Sequence, residues 1–148
     1  MSKKIDQYTH THLHSSFGSF LDGVGKPEDY MKRAVELGQQ AICITEHGSM
    51  ASAYEFQSQG DKYGIKTILG NEMYCVEDRF RQGLTDEEKD GLTPTEVREA
   101  NKKRLKSPHL LLLAETDEGL QNLYRLNYYA ATEGFYGKPR IDLKLLAK

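Results

Sequence analysis

AICITEHGSMASAYEFQSQGDKYGIKTILGNEMYCV, residues 41–76, carries the alternation that decides the fold. Residues 41–45 form a short apolar run holding two isoleucines, which reads as a buried strand. From about Met50 to Tyr63, Met50, Ala53, Tyr54 and Gln57 recur at helical spacing, and Gly64 is the stop. Residues 65–76 return to strand character, broken by Gly70. A strand, a helix and a strand in succession make a βαβ unit, and such units build parallel sheets.

The same pattern extends in both directions. Residues 5–14 read as a first strand. Pro27 then stands where a first helical position should be; Tyr30, Met31, Ala34 and Leu37 follow at helical spacing, and Gly38 closes the helix as a left-handed cap. Residues 109–114 read as a fourth strand, apolar enough to be covered on both faces as parallel strands are. Thr116 caps a last helix that turns Leu120, Leu123, Tyr124 and Leu126 inward and ends at Gly134. Four parallel strands alternating with helices give an α/β fold, too few to close a barrel.

Residues 78–106 interrupt the series. Thr85 with Glu88 and Thr93 with Glu96 each fit the capping box, so two short charged helices are expected. Lys102, Lys103, Arg104 and Lys106 suit the negative end of the second. The segment reads as a solvated surface excursion, with a nucleic-acid contact as the sharper alternative.

Composition narrows the function. The 148 residues hold 20 Lys+Arg against 22 Asp+Glu, a net charge of −2, which argues against nucleic-acid binding by bulk electrostatics alone. The longest apolar run, residues 110–114, is far too short to span a bilayer, and MSKKIDQYTH has neither the apolar core nor the cleavage site of a signal peptide. Cys43 and Cys75 form no CxxC and lie in apolar stretches, as reduced thiols of a cytoplasmic protein do.

The chemistry is concentrated in histidines. His10, His12 and His14 alternate along one strand, so their imidazoles should share a face. Three imidazoles make a poor core and a good site for zinc, manganese or iron. Asp22, His47 and Glu72 follow strands, where α/β folds place their sites; His109 instead begins its strand. Singly, Asp22 is an ordinary turn former, His47 and Glu72 ordinary cap or surface residues, and His109 a core imidazole. Together they suit a cluster of two or three divalent ions. No GxSxG, GxGxxG or Walker loop competes with that reading.

HTHLHSSFGSFLDG, ITEHGSMASAYEF, GIKTILGNEMY, HLLLLAET and GFYGKPRID, in that order, resemble the PHP (polymerase and histidinol phosphatase) domain at the N-terminus of the bacterial or phage DNA polymerase III alpha subunit. The resemblance runs from about Tyr8 to Leu146, apart from residues 78–106. It implies that residues 1–148 are the N-terminal portion, the first half, of a distorted (β/α)7 barrel with a metal cluster at one mouth and a charged helical insertion at 78–106. By position, the family's ligands fall on His12, His14, Asp22, His47, Glu72 and His109, with His10 as a ligand or a support for one. Implied partners are DNA and the rest of the polymerase alpha subunit, with no membrane. The implied chemistry is phosphodiester hydrolysis, a 3′–5′ exonuclease, in the full domain; the 148-residue chain alone should be inactive. A free-standing phosphoesterase of the histidinol-phosphatase type and a non-catalytic structural half-domain are the alternatives. Three departures stand out: Glu46 replaces the family's aspartate, the stretch from His14 to Asp22 is one residue longer, and the family's later ligands fall past residue 148.

Overall fold

Strand β2 (Lys66–Val76) is the axis of the molecule, and every other strand is registered against it. The computed structural model describes residues 8–19 and 21–147. Strand β1 (Ala41–His47) pairs in parallel with the first part of β2, from Ala41 opposite Lys66 to His47 opposite Glu72. Where β1 stops, β4 (Arg140–Asp142) takes over in parallel, with Arg140 opposite Tyr74. On the other edge β3 (His109–Leu113) runs antiparallel, from His109 opposite Tyr74 to Leu113 opposite Gly70.

The helices fall where the sequence places them. Helix α1 (Pro27–Glu36) and α2 (Ala53–Tyr63) are closed by Gly38 and Gly64 at φ +70° and +68°, a left-handed conformation that costs glycine little. The short α3 (Asp86–Lys89) and α4 (Pro94–Arg104) begin at Thr85 and Thr93, each hydroxyl accepting from the backbone of Glu88 and Glu96 while those carboxylates bind back. Neither helix buries a residue. Helix α5 (Asp117–Thr132) starts at Thr116, whose hydroxyl accepts from Gly119, and α6 (Leu143–Leu146) at Asp142. Among the described residues no helix is long and apolar enough to cross a membrane.

Strand alternation sends Ile42, Ile44, Leu69 and Met73 to one face of the sheet. Met31, Ala34, Phe56 and Ile65 cover its first half, and Ala130, Ile141 and Leu145 cover Met73. Complete burial of Phe56 alone contributes about 2–3 kcal/mol. The opposite face presents His47, Glu72, Tyr74 and His109 from three neighbouring strands.

Four expectations are corrected. The sheet is mixed, because residues 77–108 leave β2 at its carboxyl end and return there, Cys75 N–H donating to the Pro108 carbonyl at 2.9 Å; a connection that comes back to the same end reverses the next strand. Strand β3 is therefore an edge strand, half-exposed along its length, rather than one covered on both faces. The expected first strand lies partly outside the described residues, and residues 8–14 are irregular: Cys43 and Thr45, two apart, donate to the carbonyls of His10 and Leu13, three apart. The extra residue breaks the ladder as a bulge does. Finally, Tyr124 and Tyr54 point outward, and α2 starts at Ala53 rather than near Met50, because Ser49 and Asn71 engage the preceding turn.

Candidate metal centre

Glu72 is the centre of the site. It sits mid-strand in β2, its side chain only 7% exposed, with His47 directly opposite on β1. Its Oε2 lies 2.8 Å from His12 Nε2, 3.1 Å from His14 Nε2 and 3.4 Å from His47 Nδ1, and its Oε1 lies 2.6 Å from His109 Nδ1. Four imidazoles from three parts of the chain thus meet one carboxylate. Their donor atoms form two groups, His12–His14–Glu72 and His47–Glu72–His109, each spanning no more than 4.8 Å.

Each residue arrives for a local reason. His12 and His14 are carried on the segment that lies alongside β1, pinned by Leu13 N–H to the Thr45 hydroxyl at 2.9 Å. His47 closes β1. The reversal of β3 is what brings in His109: running antiparallel, it begins at the end where β1 finishes. The site residue that starts its strand is thus explained by strand direction. Asp22, in the turn after the histidines, reaches only His47 among the described residues, with 2.8 Å between Oδ2 and Nε2. His10 is not drawn in. It is exposed and belongs to neither donor group, its ring edge-on to Tyr8 at 4.8 Å.

The rings also stack. His14 lies parallel to His47 at 4.3 Å, and Tyr74 continues the column at 6.0 Å from His47 while meeting His109 edge-on at 4.9 Å. Tyr74 was legible in the sequence, two residues after Glu72 and so on the same strand face. Lys138 lies over the Tyr74 ring, 4.4 Å from its centre. Nothing local in the sequence connects residues 74 and 138.

Burial, reinforced by His47, holds His14 below the usual imidazole range against the pull of Glu72. Burial works to raise Glu72, but the bonds from His12 and His109 and the charge of His47 hold it below the usual carboxylate range. A neutral imidazole and an ionised carboxylate are the states that bind metal. The donor set fits a divalent ion on two further counts. His47 Nδ1, which faces Glu72 at 3.4 Å in a poorly aligned approach, is buried without a hydrogen-bond partner among the described residues. The 2.6–3.4 Å separations around Glu72 are also close to the roughly 3 Å that separates neighbouring ligand atoms on one ion with bonds of about 2 Å.

Glu46 takes no part. Its carboxylate turns to the other side of β1 and accepts from Ser15 and Ser52. Cys43 is buried, with its thiol pushed up to about 12, and is inert.

The PHP domain family model matches residues 10–148. The chain belongs to the PHP domain family. This PHP chain is 39% identical over 141 residues to the DNA polymerase III alpha subunit of Aquifex aeolicus, covering 95% of the chain and 11% of that protein. It is 39% identical over 144 residues to that of Helicobacter pylori strain 26695, with 97% and 10% covered, and 36% identical over 154 residues to that of Thermus aquaticus, with 99% and 11% covered. The PHP chain spans about a tenth of the length of these curated relatives. A solved candidate metal-dependent phosphoesterase from Bifidobacterium adolescentis overlaps 85% of it, and 35% of that structure, at 18% identity and a TM-score of 0.49.

Proposed function

We propose that this PHP chain belongs to a cytoplasmic replicative DNA polymerase alpha subunit and contributes a phosphodiesterase site that trims the 3′ end of DNA. The convergence of His12, His14, His47 and His109 on Glu72 is the observation that carries the reading. The DNA polymerase III relatives support DNA over a small phosphorylated metabolite. In this reading two or three ions, zinc, manganese or iron, are held by His12, His14, His47, Glu72 and His109, with Asp22 beside them.

Bound divalent ions would make water acidic enough to attack near neutral pH and would neutralise the phosphate oxygens. The protein's own part is positional. Glu72, held by paired strands on both sides, is the residue common to both donor groups and would be shared by ions bound there. Asp22 grips one nitrogen of His47 and so orients the other toward Glu72. Burial lowers the affinity of His14 for the proton that would compete with an ion.

The chain by itself should be inactive as a nuclease, or nearly so. Each donor group includes one water-exposed imidazole, His12 at 53% and His109 at 41%, and both lean on the same carboxylate. The test is metal analysis of the purified chain, followed by manganese-supported assays on mispaired primer ends and on histidinol phosphate. Metal bound by the wild type and lost in His12→Ala/His14→Ala, with any turnover confined to DNA, is the expected result. Turnover of histidinol phosphate alone would favour the metabolite phosphatase, and a chain that takes up no metal would favour a structural module. Digestion of DNA that survives His12→Ala/His14→Ala would overturn the assignment.

A further inference from the structure

Two cavities of about 160 and 350 Å³ lie side by side, with Leu105 and Arg140 as walls common to both. The first is lined by Arg81, Lys103, Arg104 and Lys106, together with Glu77 and Asp78; the second adds Tyr136 and Lys138. Three of the six cations are already committed. Arg81 pairs with Glu77 at 2.9 Å, Arg104 pairs with Glu88 at 2.7 Å, and Arg140 donates to the carbonyls of Gly134, Arg79 and Arg81. Lys103, Lys106 and Lys138 have no carboxylate within 4.0 Å among the described residues. Asp78 is the one acid in the cavity outside an ion pair, and its Oδ1 accepts from Phe80 N–H.

Both cavities adjoin segments that carry the metal centre. Lys106 stands three residues before His109. Lys138 lies over Tyr74, the ring set against His47 and His109, and Arg140 lies 5.4 Å from the centre of the Tyr136 ring. Cations and aromatic rings are therefore interspersed from the two cavities to Tyr74, the ring beside His47 and His109.

We propose that this rim, from Lys103 and Lys106 past Tyr136 to Lys138 and Tyr74, is a track that feeds single-stranded nucleic acid to the metal centre. It rests on the phosphodiester reading above and adds the substrate's path. A single strand offers what the rim is built to meet: phosphates at intervals for the ammonium groups and an unpaired base for the exposed Tyr136 ring. A small phosphorylated metabolite would use one such contact and leave the series without purpose.

The experiment is fluorescence-anisotropy binding of a labelled oligothymidylate to the metal-free 148-residue chain across a salt series. Three phosphate contacts on a single strand predict a log–log salt slope of about −2. The Lys103→Gln/Lys106→Gln/Lys138→Gln variant should bind at least tenfold more weakly with a slope near zero. Lys32→Gln/Lys66→Gln/Lys144→Gln, on α1, β2 and α6, should bind like wild type. Equal weakening in both variants, equal binding of the rim variant and wild type, or no binding by wild type would each overturn the track. Metal analysis of the same samples separates the two ideas: a rim variant that keeps its metal but loses the oligonucleotide fails in the track alone, and a wild type that binds the oligonucleotide but no metal fails in the site alone.

Discussion

Glu46 and Ser15 are joined on the side of β1 away from the histidines, the Ser15 backbone N–H lying 3.2 and 3.1 Å from the two oxygens of the Glu46 carboxylate. The Ser15 hydroxyl also donates to it, and Ser52 donates at 2.7 Å. This buried acid holds the turn after His14 onto β1. A β-carbon on Gly18 would stand 2.5 Å from its Cγ, so the turn closes directly over it.

Replacing Glu46 with Gln should therefore cost stability rather than metal. Loss of a buried, charge-assisted set of bonds is worth about 2–4 kcal/mol. A lowered urea midpoint with unchanged metal per folded molecule is the expected outcome. Metal loss at an unchanged midpoint would make Glu46 a ligand.

Glu72 belongs to both donor groups, and His109 to one. Glu72→Gln should empty the whole site, whereas His109→Ala should leave the His12–His14 group able to hold an ion. Metal stoichiometry by mass spectrometry, with circular dichroism to confirm folding, reads the difference. Equal losses in the two variants would mean that the groups act as one site.

Acid should weaken the metal-free chain before the carboxylates titrate. The unfolded chain protonates His14 near pH 6.5, whereas folded His14 resists until lower pH. Protons thus favour unfolding, and stability that is complete above about pH 6.5 declines as pH falls through the folded value. Glu72, held below its unfolded value near 4.5, adds a second loss at lower pH. Urea midpoints measured from pH 8 to 5 should drop in the wild type and stay flatter in His14→Gln. Parallel curves would refute this.

Gly70 permits the close approach of β3. A β-carbon there would lie 2.6 Å from both the Leu112 carbonyl oxygen and Leu113 Cδ2. Gly70→Ala should cost about 2–3 kcal/mol and weaken metal uptake by moving His109 from Glu72. Gly64→Ala, strained at φ +68° but with open space around it, should cost about 1 kcal/mol and leave metal uptake alone. Intact uptake by Gly70→Ala would show that β3 can shift without carrying His109 away.

Short-range chemistry was legible in the sequence. The capping boxes at Thr85 and Thr93, the stops at Gly38 and Gly64 and the apolar runs of β1 and β2 depend on partners a few residues apart, so spacing alone determined them. The candidate ligands were legible as a set, because five of the six follow strands or alternate along one stretch. Their meeting on Glu72 was decided by tertiary structure. Register placed His47 opposite Glu72, and the return of residues 77–108 to the carboxyl end of β2 reversed β3 and delivered His109. The three-for-two step between residues 10–13 and 43–45 admitted His12 and His14 and left His10 outside both donor groups. Tyr74 beneath Lys138 belongs to the same class. Such pairings depend on strand direction, register and bulges, which are set by which segments lie side by side once the core closes.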